Sequence, residues 1–259
     1  FYGRMARYLE ELAYGQGYQL LIGSFDEEYQ KFDQLIDRFI GMNMEGFIIV
    51  PAYNSTKIIK QIEKLRIPYI FIDRYLREKD ANFIVSDNKA AAMSLVQALI
   101  TQGAGRIAVI TYSSDSTAHA DRINGFQQAL KQNGLPFKEE YIYRFNEDFG
   151  QESMLKTIKQ IHKQKVDGIF FTNNSLGVAG LKVLSRQDCK IPEAIKVACF
   201  DYSDAFQLFH GGIWCAEQDL SSICSASITS LIKMINDEQV NIKQYVPVRL
   251  ISPKSLPAE

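Results

Sequence analysis

Apolar positions along this chain switch repeatedly between helical spacing and short continuous runs, and the switches punctuate it into alternating elements. Met5, Tyr8, Leu9, Leu12 and Ala13 predict a helix over 4–16 that stops at Gly15-Gln16-Gly17. Residues 18–22 then read as a strand, and Phe32, Leu35, Ile36 and Phe39 mark one face of a helix over 29–42. Residues 46–50 form a strand ended by Pro51, and Ile58, Ile59, Ile62 and Leu65 belong to the next helix. That helix feeds the run Ile67-Pro68-Tyr69-Ile70-Phe71-Ile72-Asp73-Arg74-Tyr75, a buried strand with polar side chains at its carboxyl end. A second apolar run, Phe83 to Val85, reads as a short segment crossing into another sheet.

Beyond Asp87 the alternation resumes. Helices are predicted over 89–102, 122–132 and 151–163, and strands over 107–110, 141–145 and 168–171. Glu45-Gly46-Phe47-Ile48-Ile49-Val50 has a counterpart in Asp167-Gly168-Ile169-Phe170-Phe171-Thr172, and Ile70 to Tyr75 has one in Val197 to Tyr202. This internal repeat places Asp73 and Asp201 at corresponding strand ends. The expected fold is α/β, with two similar doubly wound parallel-sheet subdomains whose helices cover both sheet faces.

The tail predicts an amphipathic helix carrying Ile223, Ala226, Ile228, Leu231, Ile232 and Ile235, then a last apolar run from Tyr245 to Ile251. Further crossings near Gln218 and Val248 divide the chain into 1–86 with 219–247 and 87–218 with 248–259. Three crossovers restrain such subdomains to hinge motion. The pattern opens on a helix where a doubly wound half opens on a strand, so the first strand is expected upstream of Phe1.

Charge removes one class of function. With 29 basic and 30 acidic residues the chain carries a formal charge of −1, too little to hold it on phosphates or anionic lipid by its own field. No apolar run approaches the roughly 20 residues of a membrane span, and Phe1-Tyr2-Gly3-Arg4 lacks a signal-peptide profile, so a cytoplasmic location is expected.

The reactive side chains form no catalytic pattern. Cys189, Cys199, Cys215 and Cys224 contain no CxxC pair, and neither a metal site nor a disulfide framework is expected of them. His119, His162 and His210 do not cluster in this reading. Ser113-Ser114-Asp115-Ser116 follows a strand but is no nucleophile elbow, and reads as a loop of hydrogen-bonding groups. Gly103-Ala104-Gly105 precedes a strand, whereas a phosphate-cradling loop follows one, so it is a helix stop. No catalytic residue, metal or cofactor is therefore expected.

Several of these segments together resemble a known family. Gly17-Tyr18-Gln19-Leu20-Leu21-Ile22, Glu45 to Pro51, Ile67-Pro68 to Asp73-Arg74, Asp87-Asn88, Gly105 to Ile110, Arg122-Ile123-Asn124-Gly125-Phe126 and Phe200-Asp201 occur in the order found in the effector-binding region of lac-repressor-type transcriptional regulators. The resemblance covers nearly the whole chain and extends to periplasmic sugar-binding proteins. It implies a periplasmic binding protein type I-like fold, a small effector bound in the cleft between subdomains, and a homodimer. It also implies operator DNA read by an N-terminal helix-turn-helix and hinge helix, neither of which is among these residues.

The resemblance assigns roles residue by residue. Arg122 matches an arginine that forks onto effector oxygens from the start of a helix, the plainer reading being a solvated partner of Asp121. Asp201 matches an aspartate that accepts from sugar hydroxyls, or else it caps the turn containing Ser203 and Asp204. Asp73 occupies the equivalent place in the first half, to accept a hydroxyl or to hold Arg74. Phe145 matches an aromatic that stacks on the ligand, with a core phenylalanine as the alternative. Phe1 and Tyr2 match ligand-facing residues at the first helix. Asn174 matches an asparagine of an Asn-Asp pattern in which this chain has Ser175, and a register shift would exchange it with Asn173. Gln218 matches a hinge or ligand-contacting glutamine, followed here by Asp219 instead of proline.

The expectation is an effector-sensing region of a transcriptional regulator that binds a small polar ligand, commonly a sugar. An exported sugar-binding protein of the same architecture is the first alternative, and a sugar-acting α/β enzyme the second.

Overall fold

The computed structural model describes residues 1–146, 148–187, 189–209 and 212–253. His210 lies outside the described residues. The chain forms two compact units, Phe1–Ser86 with Asp219–Val246, and Asp87–Gln218 with the segment from Pro247.

The first unit is built on a parallel sheet of four strands in the order β1-β2-β3-β9. They are β1 (Phe47–Ile49), β2 (Tyr69–Ile72), β3 (Phe83–Ser86) and β9 (Lys243–Val246). Alternation along β2 separates two cores. Ile70 and Ile72 pack with α1 (Tyr2–Gly15) and α8 (Leu220–Ile235), while Phe71 packs with α2 (Tyr29–Gly41) and α3 (Thr56–Lys64). Helices thus cover both faces.

Two expectations change here. Phe83–Ser86 is a full strand hydrogen-bonded between β2 and β9, and the chain leaves the unit only after it. Residues 18–22 form no strand and join no described ladder. Tyr18 and Leu20 pack on the core while Leu21 and Ile22 are exposed, so the strand-like alternation persists without backbone pairing.

The second unit has six strands in the order β10-β8-β7-β6-β4-β5. These are β4 (Ile107–Tyr112), β5 (Ile142–Phe145), β6 (Gly168–Phe171), β7 (Lys196–Phe200), β8 (Trp214–Gln218) and β10 (Val248–Ile251). All neighbours are parallel except β8 and β10. One face packs against α4 (Asn88–Thr101) and α5 (Thr117–Gln132), the other against α6 (Gln151–Lys163) and α7 (Asn174–Arg186). Because β4 lies between β5 and β6, the strand order reverses there, and the crevice outside the carboxyl ends at such a point is where open α/β sheets bind ligands.

The apolar run at the tail is broken by Pro247, which separates β9 of the first unit from β10 of the second. Asp87 and Asp219, the first residues after two of the unit boundaries, each cap a helix, accepting from Ala90 N–H and Ser222 N–H at 3.0 Å. Asp219 thereby starts α8 at the place where the resemblance has proline. The Ser222 hydroxyl and N–H together hold its carboxyl below the usual aspartate range.

Candidate functional site

In the second unit, polar side chains converge at the carboxyl ends of β4, β6 and β7. Arg122 is central to them. Sequence spacing suggested that it opens a helix, but α5 begins at Thr117, which places Arg122 in the second turn and turns it inward. Its side chain is only 5% exposed. Nε donates to Asn88 Oδ1 at 2.8 Å, and one terminal nitrogen donates to the Thr172 carbonyl at 2.7 Å. The same nitrogen lies 3.8 Å from Asp201 Oδ2. The guanidinium carbon sits 3.6 Å from the centroid of the Phe200 ring, a cation–π contact.

Asp201 follows β7 with φ +66°, in the left-handed region. Its Oδ1 accepts from Gln218 Nε2 at 2.7 Å. Ser203, not Asp201, occupies the cap position of the short 3-10 turn Asp204–Leu208. Arg122, Asp201 and Gln218, which lie far apart in sequence, thus form one linked group. A left-handed residue that is not glycine carries about 1 to 3 kcal/mol of strain and persists where its surroundings hold it.

Helix α7 gives the two asparagines different surroundings. Asn173 is its cap, with Oδ1 accepting from Leu176 N–H at 3.0 Å. Asn174, half-buried, begins the helix and donates to the Tyr202 carbonyl at 3.4 Å. Asn173 Oδ1 is thus taken by the backbone, and both asparagines lie just past the end of β6.

Phe145 takes the core alternative. It is 6% exposed and belongs to the core beneath α6 and α7, because the last residue of β5 faces inward. Phe149, in the loop that follows, packs edge-on against it with ring centroids 5.2 Å apart. Tyr112 lies 6.2 Å from Phe149 and 5.7 Å from His119 by the same measure. The partly buried aromatic surface at these strand ends comes from Tyr112 and Phe149. Neither was singled out in the sequence, where both look like ordinary aromatics beside a strand.

The first unit holds the remaining candidates. Asp73 follows β2 with φ +65°, matching Asp201, and its Oδ2 accepts from the Tyr2 hydroxyl at 3.1 Å. Desolvation of that hydroxyl and the adjacent carboxylate raise the Tyr2 phenol well above its ordinary value. Phe1 precedes α1 and rests edge-on against Tyr2 at 5.1 Å. Arg74 donates to the Pro51 carbonyl at 2.9 Å and ion-pairs with Glu27 at 2.5 Å. The Asp73 carboxylate also favours its charged form.

Among the described residues no three His, Cys, Asp or Glu side chains are grouped to hold a metal ion, and no helix is long and apolar enough to cross a membrane. The Cys189 Sγ lies 3.8 Å from His162 Nε2, away from the groups above on the opposite ends of α6 and α7.

Comparison with known proteins accords with this architecture. A family model described as a periplasmic binding protein-like domain matches residues 96–256, well over half of the chain. The chain belongs to that family. This periplasmic binding protein-like chain is 24% identical over 254 residues to the ribose operon repressor of Halalkalibacterium halodurans, covering 97% of the chain and 74% of the relative. It is 21% identical over 244 residues to catabolite control protein A of Priestia megaterium, covering 93% and 73%. A solved complex of the transcriptional regulator CelR with cellobiose superposes with a TM-score of 0.86 at 19% identity, covering 97% of this chain and 78% of that one. These relatives are regulators of the type that the sequence resembles.

Proposed function

We propose that this chain is the effector-sensing part of a DNA-binding transcriptional regulator, and that its ligand is a small sugar or sugar derivative. The observation that carries the reading is the buried group Arg122, Asp201 and Gln218 at the strand ends of the second unit. A planar donor fork beside a carboxylate and an amide matches the neighbouring hydroxyls of a sugar, and Tyr112 and Phe149 offer aromatic surface to its C–H face. The relatives' names supply the regulatory role, and the CelR complex supplies a saccharide precedent. By the resemblance alone, Phe1, Tyr2 and Asp73 of the first unit are ligand contacts as well.

Ligand binding acts on DNA by favouring one hinge state of the two units over another, and only the difference in affinity between states is transmitted. In this reading the sensor works in the cytoplasm as a homodimer, catalyses no reaction, and reaches operator DNA through the helix-turn-helix that such regulators carry ahead of this region.

A thermal-shift screen against mono- and disaccharides, their phosphates and purines tests the proposal, since a ligand of the folded state alone raises its apparent stability. A shift with one sugar class, lost in Arg122→Gln, is the expected result. A folded sample that shifts with none of them overturns the sensing role, and one sedimenting as a single chain at micromolar concentration overturns the dimer.

A further inference from the structure

The charges around this group narrow the ligand. The described residues of the connections β4–α5, β5–α6 and β6–α7, with those just after β7, carry the carboxylates of Asp115, Asp148 and Asp201 and no lysine or arginine. The cation that reaches the group from α5 is Arg122, already opposed by Asp201 and seated on Phe200. Its fork is shared with Asn88 and Thr172. The N-terminus of α7 is a natural place for an anion, but Asn173 Oδ1 occupies its Leu176 N–H. The first unit, taken by itself, repeats the balance, with buried Arg74 ion-paired to Glu27 and Asp73 accepting from Tyr2.

We propose that the ligand is an uncharged saccharide, and that phosphorylated sugars and sugar acids are rejected. This rests on the sensing role proposed above. A phosphate or carboxylate placed beside the largely buried Asp201 would leave an excess of negative charge, which is unfavourable without a matching cation. Hydroxyls need no such cation. They donate to the Asp201 carboxylate, accept from Arg122, and both donate to and accept from the amides of Asn174 and Gln218.

The test is calorimetric titration of the chain with glucose, ribose, sucrose and cellobiose, beside glucose 6-phosphate, ribose 5-phosphate and gluconate. The expected result is binding of a neutral saccharide, at least about tenfold tighter than any charged sugar. Its affinity should stay constant when NaCl is raised about tenfold, because no net charge is neutralised. A sugar phosphate or sugar acid that binds as tightly, or an affinity that falls steeply with salt, overturns the inference and leaves the sensing role standing. No binding of any saccharide to a folded sample overturns both. In Asp201→Asn, which keeps shape and removes the charge, the preference for neutral over phosphorylated sugar should shrink severalfold. An unchanged preference would assign the rejection to shape and overturn the electrostatic argument.

Discussion

Substitution of Asp201 separates three contributions that coincide at one residue: charge, hydrogen bonding and backbone strain. Asp201→Asn keeps the size, an oxygen acceptor for Gln218 and tolerance of φ +66°. It removes the anion that faces Arg122 at 3.8 Å. At that distance and an effective dielectric constant of about 20, the attraction is about 4 kcal/mol. Asp201 retains 17% side-chain exposure, and Arg122 keeps Asn88, Thr172 and the Phe200 ring, so the net loss should be smaller, about 2 kcal/mol. Asp201→Gly loses the charge and the acceptor but relaxes the backbone. Asp201→Ala loses the same groups and also places a Cβ in the left-handed region, so it should be about 1 kcal/mol less stable than the glycine variant.

Equilibrium urea unfolding measures this series directly. Trp214, the chain's single tryptophan, lies on β8 and packs in the core that contains Phe200, so its fluorescence reports the unit that holds the perturbation. Asp201→Asn should lower the midpoint at an unchanged slope. A double-mutant cycle with Arg122→Met should return a coupling of about 2 kcal/mol. A cost for Asp201→Asn below about 0.5 kcal/mol, the usual size for an exposed pair, would refute the view that Arg122 depends on this carboxylate. Equal stability of the glycine and alanine variants would refute the strain.

Other side chains give independent checks. A Cβ on Gly125 would stand 2.3 Å from the Lys89 carbonyl oxygen of α4, so Gly125→Ala must push α5 away; it should lose about 1 to 3 kcal/mol in the same unfolding assay, and it should weaken sugar binding because Arg122 moves with the helix. Phe149→Ala should reduce sugar affinity about tenfold in calorimetry, a stacking loss of about 1 kcal/mol, whereas Phe145→Leu should change stability and leave affinity nearly intact; the reverse pattern would restore Phe145 to the ligand. Burial raises the thiols of Cys199, Cys215 and Cys224, with Cys215 pushed up to about 12 and Cys224 to about 11. Since the thiolate is the nucleophile, higher values mean less reaction at neutral pH. N-ethylmaleimide followed by intact-mass measurement should add one adduct to the native chain, at half-exposed Cys189, and reach all four cysteines only in urea.

The alternation of strands and helices was legible because each sheet buries both faces, which leaves continuous apolar runs such as Ile169-Phe170-Phe171 between amphipathic helices. Boundaries were less so. Thr117 to Asp121 carries too few apolar residues to announce a helix, yet α5, packed on α4, runs through them, which moves Arg122 into the second turn. Residues 18–22 show the converse, since an apolar pattern specifies which side chains are buried and does not provide a pairing partner. The two readings of Phe145 could not be separated for a related reason. At the end of β5 the pleat decides which side Phe145 takes, and only the fold shows that this side is the core.

The repeat of Asp73 and Asp201 has a physical basis beyond sequence likeness. Among non-glycine residues with positive φ, Asn43, Arg66, Lys165 and Asp237 follow helices, where a left-handed residue closes the last turn. Asp73 and Asp201 instead follow strands directly, β2 in one unit and β7 in the other. No helix end requires the conformation there. What it achieves is to turn the chain sharply as it leaves the sheet, keeping each carboxylate at the strand end, where Tyr2 engages one and Gln218 the other. Aspartate tolerates this conformation better than most residues, so the strained turn and the hydrogen-bonding group are supplied by the same side chain. Glycine would satisfy the backbone and lose the acceptor, and glutamate would keep the acceptor with a longer side chain and a less tolerant backbone. If Asp73 and Asp201 serve recognition, as proposed above, glycine at either place should keep the fold and lose ligand affinity.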